Sequence, residues 1–525
     1  MFKYTLNYMK TEVKELFTYD VPAKGVDALD IYCCFPSTYY VGMSSLGFLN
    51  IFYNLDKLDF VRPHRIFTDS NPFKPDPQAL MCFSFTFELD FLQIFKLLDK
   101  LKIPLKREDR DEEYPLIFAG GPVATANPEP YADFFDFFII GDGDELAEKV
   151  AKRFHETKNL SRELKLLELA KIDGIYIPEF FEVSYSPDST VKKITAIKGY
   201  ENNIVNKINF NDRNKCVFSP IITSNTVFSD TFIIEIERGC SQKCHFCIAS
   251  YLNLPVRCVN TDKILKTIDH GLKYTRKLGL LGALITEHPD IEEIFEFIYA
   301  KHKENPIKLT TTSLRADRIN EKIAKILHDC NQKQITISIE AGSERLRNSI
   351  NKRLSAENIF NCIKICHENN IKSIKIYGMT NLPEEEVEDI EDMINIIKKI
   401  NRLYPSMEVI LSLNSFIPKA HTPFERKKVE NYSESKRKME YIKKQLIHKN
   451  KVRISSSRWD ALQAMLSRGD RRLSKVLIKA YAYGSTLGSF NRAFKDYSEL
   501  TPELSWYATR ERKPEETLPW DHIKF

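Results

Sequence analysis

Arg238-Gly239-Cys240-Ser241-Gln242-Lys243-Cys244-His245-Phe246-Cys247 sets three thiols at spacings of x3 and x2, directly after the apolar, β-prone run Phe232 to Ile236. Thiolates are the protein ligands of iron–sulfur clusters, and a full cubane normally takes four of them. Three leave one iron open, and an iron with a vacant position can chelate a small molecule. Two plainer readings stand beside this one. A structural zinc ion needs a fourth ligand, and His245 is poorly placed to join Cys244 and Cys247 on one ion; ordinary zinc motifs pair two C-x2-C elements, or one with distant histidines. Free cysteines are also common core residues, although Gly239 and the polar residues between the thiols read as a loop.

At 525 residues, 43% of them apolar, the chain is long enough for roughly three domains with large interiors. The other eight of its 11 cysteines (Cys33, Cys34, Cys82, Cys216, Cys258, Cys330, Cys362, Cys366) are scattered through apolar segments without a secreted disulfide framework. A reducing compartment fits that usage, so the expected location is cytoplasmic. Met1 to Asn7 has no apolar core or small-residue cleavage site, and no run reaches the ~18 apolar residues of a spanning helix, so no membrane partner is expected. The formal charge of +5 says little about partners. Residues 426–453 are more basic, with eleven Lys/Arg against Glu430, Glu434 and Glu440. A solvated helix face is the default reading, and RNA or another polyanion the sharper one.

Working back toward the N-terminus, apolar strands alternate with amphipathic helices: strand 31–35, helix 43–58, strand 80–85, helix 89–101, and strands 116–119 and 137–140. The fold class is α/β, and residues 1–155 read as a doubly wound parallel sheet. Ligands of such sheets sit beyond the strand carboxyl ends, where glycine admits a close approach. Gly42, Gly120 with Gly121, and Gly141 mark three such ends. Residues 156–227 read as a β-rich connector, with Ser186 to Ser189 as a hairpin loop and an Asn-rich stretch near Asn202. From 228 to 451 the alternation resumes, with strands at 231–236, 279–285, 307–311, 334–339, 372–377 and 407–413. Six parallel strands with crossover helices make a partial (β/α)6 barrel, its site at the strand carboxyl ends. The cysteine loop follows strand one. Residues 452–525 read as a C-terminal cap over the barrel mouth, with Trp459, Trp506 and Trp520 either shielding the site or filling a core.

The cysteine spacing, with an aromatic residue before the last thiol, resembles the signature of the radical S-adenosylmethionine (radical SAM) superfamily, and the preceding sheet resembles the cobalamin-binding domain found in one branch of it. Further passages carrying the likeness are Phe35 to Gly47, Ala119 to Glu145, Gly279 to Asp290, Ser338 to Arg347, Pro418 to Phe424 and Ser457 to Leu473. The resemblance implies an enzyme in which Cys240, Cys244 and Cys247 hold a 4Fe-4S cluster. S-adenosylmethionine binds the unique iron, and an electron from a donor such as a flavodoxin or ferredoxin cleaves it to start radical chemistry. It also implies candidate contacts to S-adenosylmethionine: Thr286 and Glu287 after strand two, Ser313 and Arg315 after strand three, Glu340 for the ribose and Arg345 for the carboxylate after strand four, and Gly378 at the adenine edge. Beyond the cluster site no catalytic residue is assignable. Structural pairing of Arg315 with Asp317, and capping by Ser343, are the plainer alternatives. Gly42, Gly120, Gly121 and Gly141 are the candidate cobalamin contacts. The D-x-H-x-x-G pattern, whose histidine ligates cobalt from below, is missing, so a bound cobalamin would lack that ligand, or the sheet is only a scaffold. An RNA-modifying radical SAM enzyme and a non-catalytic redox sensor are the alternatives. The substrate is not readable.

Overall fold

The computed structural model describes residues 13–200 and 203–525; Met1 to Asn7 and Asn202, named above, lie outside the described residues. Leu29–Cys34 (β1), Val61–Ile66 (β2), Leu80–Ser84 (β3), Leu116–Gly120 (β4) and Phe137–Ile139 (β5) form a parallel sheet in the order β2-β1-β3-β4-β5, and Ile175–Tyr176 (β6) adds an antiparallel edge. β1 and β3 are apolar along nearly their whole length, as strands covered on both faces must be. β2 escapes a hydrophobic-pattern reading because Val-Arg-Pro-His-Arg-Ile carries proline and charge. As an edge strand it tolerates both, and Arg65 is buried against Glu15 at 2.7 Å. The helix expected over 43–58 is Leu46–Asp56, capped by Ser45 and preceded by the short helix Tyr39–Gly42. The connector contains helix Arg162–Ala170 and gives β6 to the first sheet; the rest carries the hairpin Phe181–Tyr185 with Val191–Ala196 around the predicted Ser186 to Ser189 turn and the short strands Val205–Asn206, Val217–Phe218 and Ile221–Thr223.

The second half builds an open barrel. Phe232–Glu235 (β7), Lys277–Leu281 (β8) and Lys308–Thr311 (β9) run parallel in one ladder, and Gln334–Glu340 (β10), Ser373–Thr380 (β11) and Glu408–Ser415 (β12) in another, extended by Lys451–Ile454 (β13). A single bridge, Leu314 to Ile337, joins the two ladders. Period-two alternation sets the layers: Ile335, Ile337 and Ile339 are buried, while Thr336 and Ser338 between them stay partly open. Strand two stops at Leu281 rather than 285, because Gly282 turns the chain and Ile285–Glu287 is a short 3-10 turn.

The tail departs from the expected cap. Helices Ser457–Arg468, Leu473–Ala482 and Leu487–Asp496 share a core with the N-terminal sheet, Phe490 meeting Phe91 and Tyr481 meeting Phe95 edge-on. Arg471 bonds Glu129 at 2.8 Å, and Asn127 donates to the Gly469 carbonyl at 2.9 Å. Trp459 packs on Phe490 and Trp506 on Tyr507; only Trp520, buried beside Leu252 and Ala420, reaches the helix that follows the cysteines. The basic segment packs Met439, Ile442 and Leu446 inward and pairs Lys438 with Glu385 and Glu430, which is the solvated-face reading. Among the described residues no helix is long and apolar enough to cross a membrane.

Candidate active site

The cysteine loop leaves β7 at the carboxyl end of the barrel and is pinned from several sides. Gly239 adopts φ +100°, and a Cβ there would stand 2.5 Å from the Asn253 carbonyl oxygen, so only glycine makes this turn. Asn351 donates to the carbonyls of Gln242 and Lys243 at 3.1 and 2.8 Å, and the Tyr251 hydroxyl donates to Lys243 at 2.9 Å. His245 is tied through its ring to the Ser349 carbonyl at 3.0 Å and through its amide to Ile350. Cys244 is buried, and Cys240 and Cys247 are partly so. Burial raises the Cys240 thiol and pushes Cys244 up to about 11.

Arg238 fastens this loop to the N-terminal sheet. Its guanidinium pairs with Asp144 at 2.7 Å, Asp142 at 3.1 Å and Glu235 at 2.7 Å, and Arg257 reaches the same Asp142 at 2.5 Å. Asp142 and Asp144 flank Gly143 at the end of β5, and their role was not visible in sequence, where the stretch was read for its glycines. Between sheet and barrel lies a cavity of about 460 Å³. Its floor is formed by Cys33, Cys82, Phe83 and Gly120 at the ends of β1, β3 and β4, the point where strand order reverses and open α/β sheets bind ligands. Its barrel side is Glu235, Glu237 and Leu281 to Ala283.

The expected cobalamin glycines divide. Gly120, Gly121 and Gly141 line the cavity, but Gly42 does not: a Cβ on it would stand 2.4 Å from the Phe67 ring, so close packing explains it. Gly121 and Gly141 hold φ near +110° and lie against Phe85 and Ile208 backbone, a conformational requirement in its own right. Ser45 and Gly47, at the start of helix Leu46–Asp56, also line the cavity.

The barrel residues divide as well. Glu287 accepts from the Ser241 amide at 3.1 Å, the Ser241 hydroxyl at 2.7 Å and the Gln242 side chain, so it caps the cysteine loop. Thr286 is buried with its hydroxyl lacking a partner. Ser313 is partly open beside Thr312, whose hydroxyl bonds the Gly282 carbonyl at 3.1 Å. Arg315 takes the plainer alternative, bonding Asp317 at 2.7 Å and the Lys352 and Arg353 carbonyls. Arg345 is engaged with Asp389 at 2.5 Å, and Ser343 caps its helix. Glu340 sits on a bulge at φ +67°, 3.4 Å from Lys352, and both act electrostatically on Cys244. The missing side chain of Gly378 points to Met393 of helix Val387–Leu403 and Leu413 of β12, so only its main chain is available to an adenine edge.

Sequence reasoning missed Glu237. It is wholly buried; one carboxylate oxygen accepts the Leu284 amide, and the other has no hydrogen-bond partner. Burial, with Glu287 and Glu235 nearby, pushes its carboxyl up to about 7. Its apparent place inside a β-strand concealed it.

Residues 234–397, from β7 into helix Val387–Leu403, match the family described as "Radical SAM superfamily", and residues 74–178 match "Radical SAM proteins, N-terminal". Over 398 residues the chain is 30% identical to "Uncharacterized protein MJ0966" of Methanocaldococcus jannaschii, spanning 74% of this chain and 78% of that relative. The chain belongs to the radical SAM superfamily. A radical SAM enzyme carries a 4Fe-4S cluster and S-adenosylmethionine and needs an electron donor. A shorter similarity, 23% over 177 residues, covers 32% of the chain and 37% of tRNA-2-methylthio-N(6)-dimethylallyladenosine synthase of Acetivibrio thermocellus. Among solved structures, the cobalamin-dependent S-adenosylmethionine radical enzyme OxsB with aqua-cobalamin and S-adenosylmethionine bound aligns at TM-score 0.52 and 12% identity, over 90% of this chain and 71% of that one, which shows the shared fold.

The residues present fit the family's cluster. Three thiols stand on one loop that the side chains of Asn351, Tyr251 and Glu287 brace. Among the described residues no three His, Cys, Asp or Glu are gathered around a single ion; cubane ligands need no such crowding, since each takes its own iron.

Proposed function

We propose that Cys240, Cys244 and Cys247 hold the 4Fe-4S cluster of this radical SAM enzyme and that S-adenosylmethionine lies beside it across the ends of β8 to β12. The observation carrying this reading is the braced x3, x2 cysteine loop at the carboxyl end of the first barrel strand, where barrel chemistry is sited. When bound, the cluster and S-adenosylmethionine supply a 5′-deoxyadenosyl radical through reductive cleavage. The chain's own work is to hold and shield. Glu287 and Asn351 fix the loop backbone, and Glu340 with Lys352 offers the ribose an acceptor beside Cys244. Arg238 keeps the loop against the sheet, and a flavodoxin- or ferredoxin-like protein in a reducing cytoplasm supplies the electron.

Cobalamin is the proposed occupant of the cavity between sheet and barrel, with methylation or ring rearrangement as the sequel. The strand-order switch at β1 and β3 and the largely apolar floor support it, and none of the residues lining the cavity is a histidine. Its axial position would therefore be free of imidazole. The test is anaerobic reconstitution followed by assay of 5′-deoxyadenosine, cobalamin content and EPR. Deoxyadenosine formation and a cobalt(II) signal without axial-nitrogen splitting are expected. A reconstituted cluster whose EPR ignores S-adenosylmethionine would refute the first reading, and imidazole splitting the second.

A further inference from the structure

Two stretches of sequence, Pro418 to Phe424 and Ser457 to Leu473, take no part in the cluster site. The structure brings them together with the residues after β3 around a second, smaller pocket of about 130 Å³. Its apolar walls are Phe87, Pro122, Val123, Leu466 and Ile248, the last being the residue that follows Cys247. Thr86 and Pro122 line this pocket and the larger cavity alike, so the two adjoin. The polar end is assembled from distant parts of the chain: Glu88 from the turn after β3, Lys419 from the loop after β12, and Gln463 and Ser467 from helix Ser457–Arg468. Lys419 and Glu88 form an ion pair with most of both side chains buried, and the Gln463 amide nitrogen donates to the other Glu88 oxygen at 2.8 Å. Among the described residues the Lys419 ammonium meets no other acceptor, the Gln463 amide oxygen meets no donor, and the hydroxyl of the buried Ser467 has no partner. An ion pair serving only to fasten the tail to the sheet would be saturated by its neighbours, as Arg471 is by Glu129, Tyr176 and the Phe181 carbonyl. This one keeps unused donors and an unused acceptor beside an apolar hollow, the composition of a small-molecule site.

We infer that this pocket anchors the substrate and that it takes the zwitterionic end of an α-amino acid whose apolar side chain runs past Thr86 and Pro122 into the larger cavity. This rests on the proposed reaction, for which the larger cavity is the chamber. Charge decides the class. Lys419 and Glu88 cancel, so a ligand with a lone carboxylate or a lone ammonium leaves the enclosure with a net charge, which burial penalises. A head bearing both charges adds to the pair without that penalty: its carboxylate takes the remaining N–H groups of Lys419 and the Ser467 hydroxyl, and its ammonium takes the Gln463 oxygen and the unused lone pairs of Glu88. Size decides the placement. A cavity of about 150 Å³ holds a group the size of benzene, so this smaller pocket holds the head and first carbons, and the rest of the molecule lies in the chamber beside the cysteine loop.

The test uses the full-length, cluster-loaded protein in anaerobic calorimetry with two matched series. L-leucine is compared with 4-methylpentanoate, which lacks the ammonium, and 3-methylbutylamine, which lacks the carboxylate; L-phenylalanine is compared with 3-phenylpropanoate and 2-phenylethylamine. At least one amino acid should bind tenfold or more tightly than both of its truncated partners. Glu88→Gln combined with Lys419→Met, a double change that strands no charge, should abolish that preference with iron content and the cluster's EPR response to S-adenosylmethionine unchanged. Thr86→Trp, at an exposed position where the two spaces adjoin, should exclude the amino acid without touching a charged group, and it carries the test if the double variant fails to fold. A truncated acid that binds as tightly as its amino acid would make this an anion site, and a truncated amine doing so a cation site; either overturns the inference. So does binding that both variants leave intact, or no binding of either amino acid. A protein that binds the amino acid while its cluster ignores S-adenosylmethionine would refute the cluster-site reading and leave the pocket assigned, whereas a responsive cluster in a protein that binds neither amino acid removes only this inference.

Discussion

Arg238→Met is the substitution that probes how the two halves of the molecule communicate. The stem retains most of its volume, but Asp144 loses a 2.7 Å partner and Glu235 another, while Asp142 keeps Arg257. Asp144 is almost wholly buried, and removing one member of a buried ion pair costs roughly 3–5 kcal/mol because the remaining charge is stranded. Arg238 is one-fifth exposed and Asn50 still donates to Asp144, so the lower end, about 3 kcal/mol, is expected. The loss is local, so amide hydrogen exchange is the suitable assay. Peptides covering 239–253 should lose about a hundredfold in protection, since each ~1.4 kcal/mol is a factor of ten. Adding Asp144→Asn should recover a large part of it, with a coupling energy of about 2 kcal/mol between the two positions. Unchanged exchange in Arg238→Met, or full additivity in the pair, would refute the view that this arginine clamps the cysteine loop to the sheet.

Ala at Cys240, Cys244 or Cys247 should each abolish both the ~400 nm charge-transfer absorbance typical of bound clusters and deoxyadenosine formation; full iron and sulfide in the triple variant would end the assignment. The Glu237 carboxyl is raised from 4.5 to about 7 in the folded chain, so its contribution is intact below about pH 4.5 and is lost as pH climbs through 7. Ligand-free Glu237→Gln should therefore gain about 3 kcal/mol over wild type between pH 5 and pH 8, read by urea denaturation; parallel pH profiles would contradict the burial argument. Glu340→Gln should weaken S-adenosylhomocysteine by about 1.5–3 kcal/mol with the cluster intact, whereas Arg345→Ala, already committed to Asp389, should leave it unchanged. Calorimetry showing the reverse ranking would exchange their roles.

The elements with one dominant period were legible from residues alone. β10 alternates Ile335, Thr336, Ile337, Ser338, Ile339 and was placed to within a residue, as were β3, β4 and β5, whose runs are apolar; β1 begins two residues before its expected start. β2 was missed because an edge strand obeys looser rules than its composition suggests; β6 fell within the β-rich connector, but two residues do not say that they pair with the first sheet. At the site, the thiols were readable because their spacing is itself the ligand geometry. The roles of Glu287, Arg315 and Arg345 were not, since a carboxylate or guanidinium at a strand end looks the same whether it faces a ligand or a neighbouring loop. What decided each was a partner 37 to 46 residues away: Lys352 and Arg353 for Arg315, Asp389 for Arg345 and Ser241 for Glu287. The tail's destination was equally hidden: amphipathic helices advertise that they must be covered, without saying by which layer.

The last residues of the chain close a circle. Ile523–Lys524 runs parallel to Val205–Asn206, and the tail helices complete the core that residues 29–154 began. On a ribosome this means that the first sheet to emerge is the last to be finished. Its strands can pair early, but the face bearing Phe91 and Phe95 stays open until Tyr481 and Phe490 have left the exit tunnel, by which time the whole barrel has been made. The sheet is thus held back as an unfinished jaw around the barrel, and a chain stopped after 456 should expose that apolar face and bind a chaperone that the 525-residue chain releases; a soluble, chaperone-free product of that length would show the jaw able to close by itself.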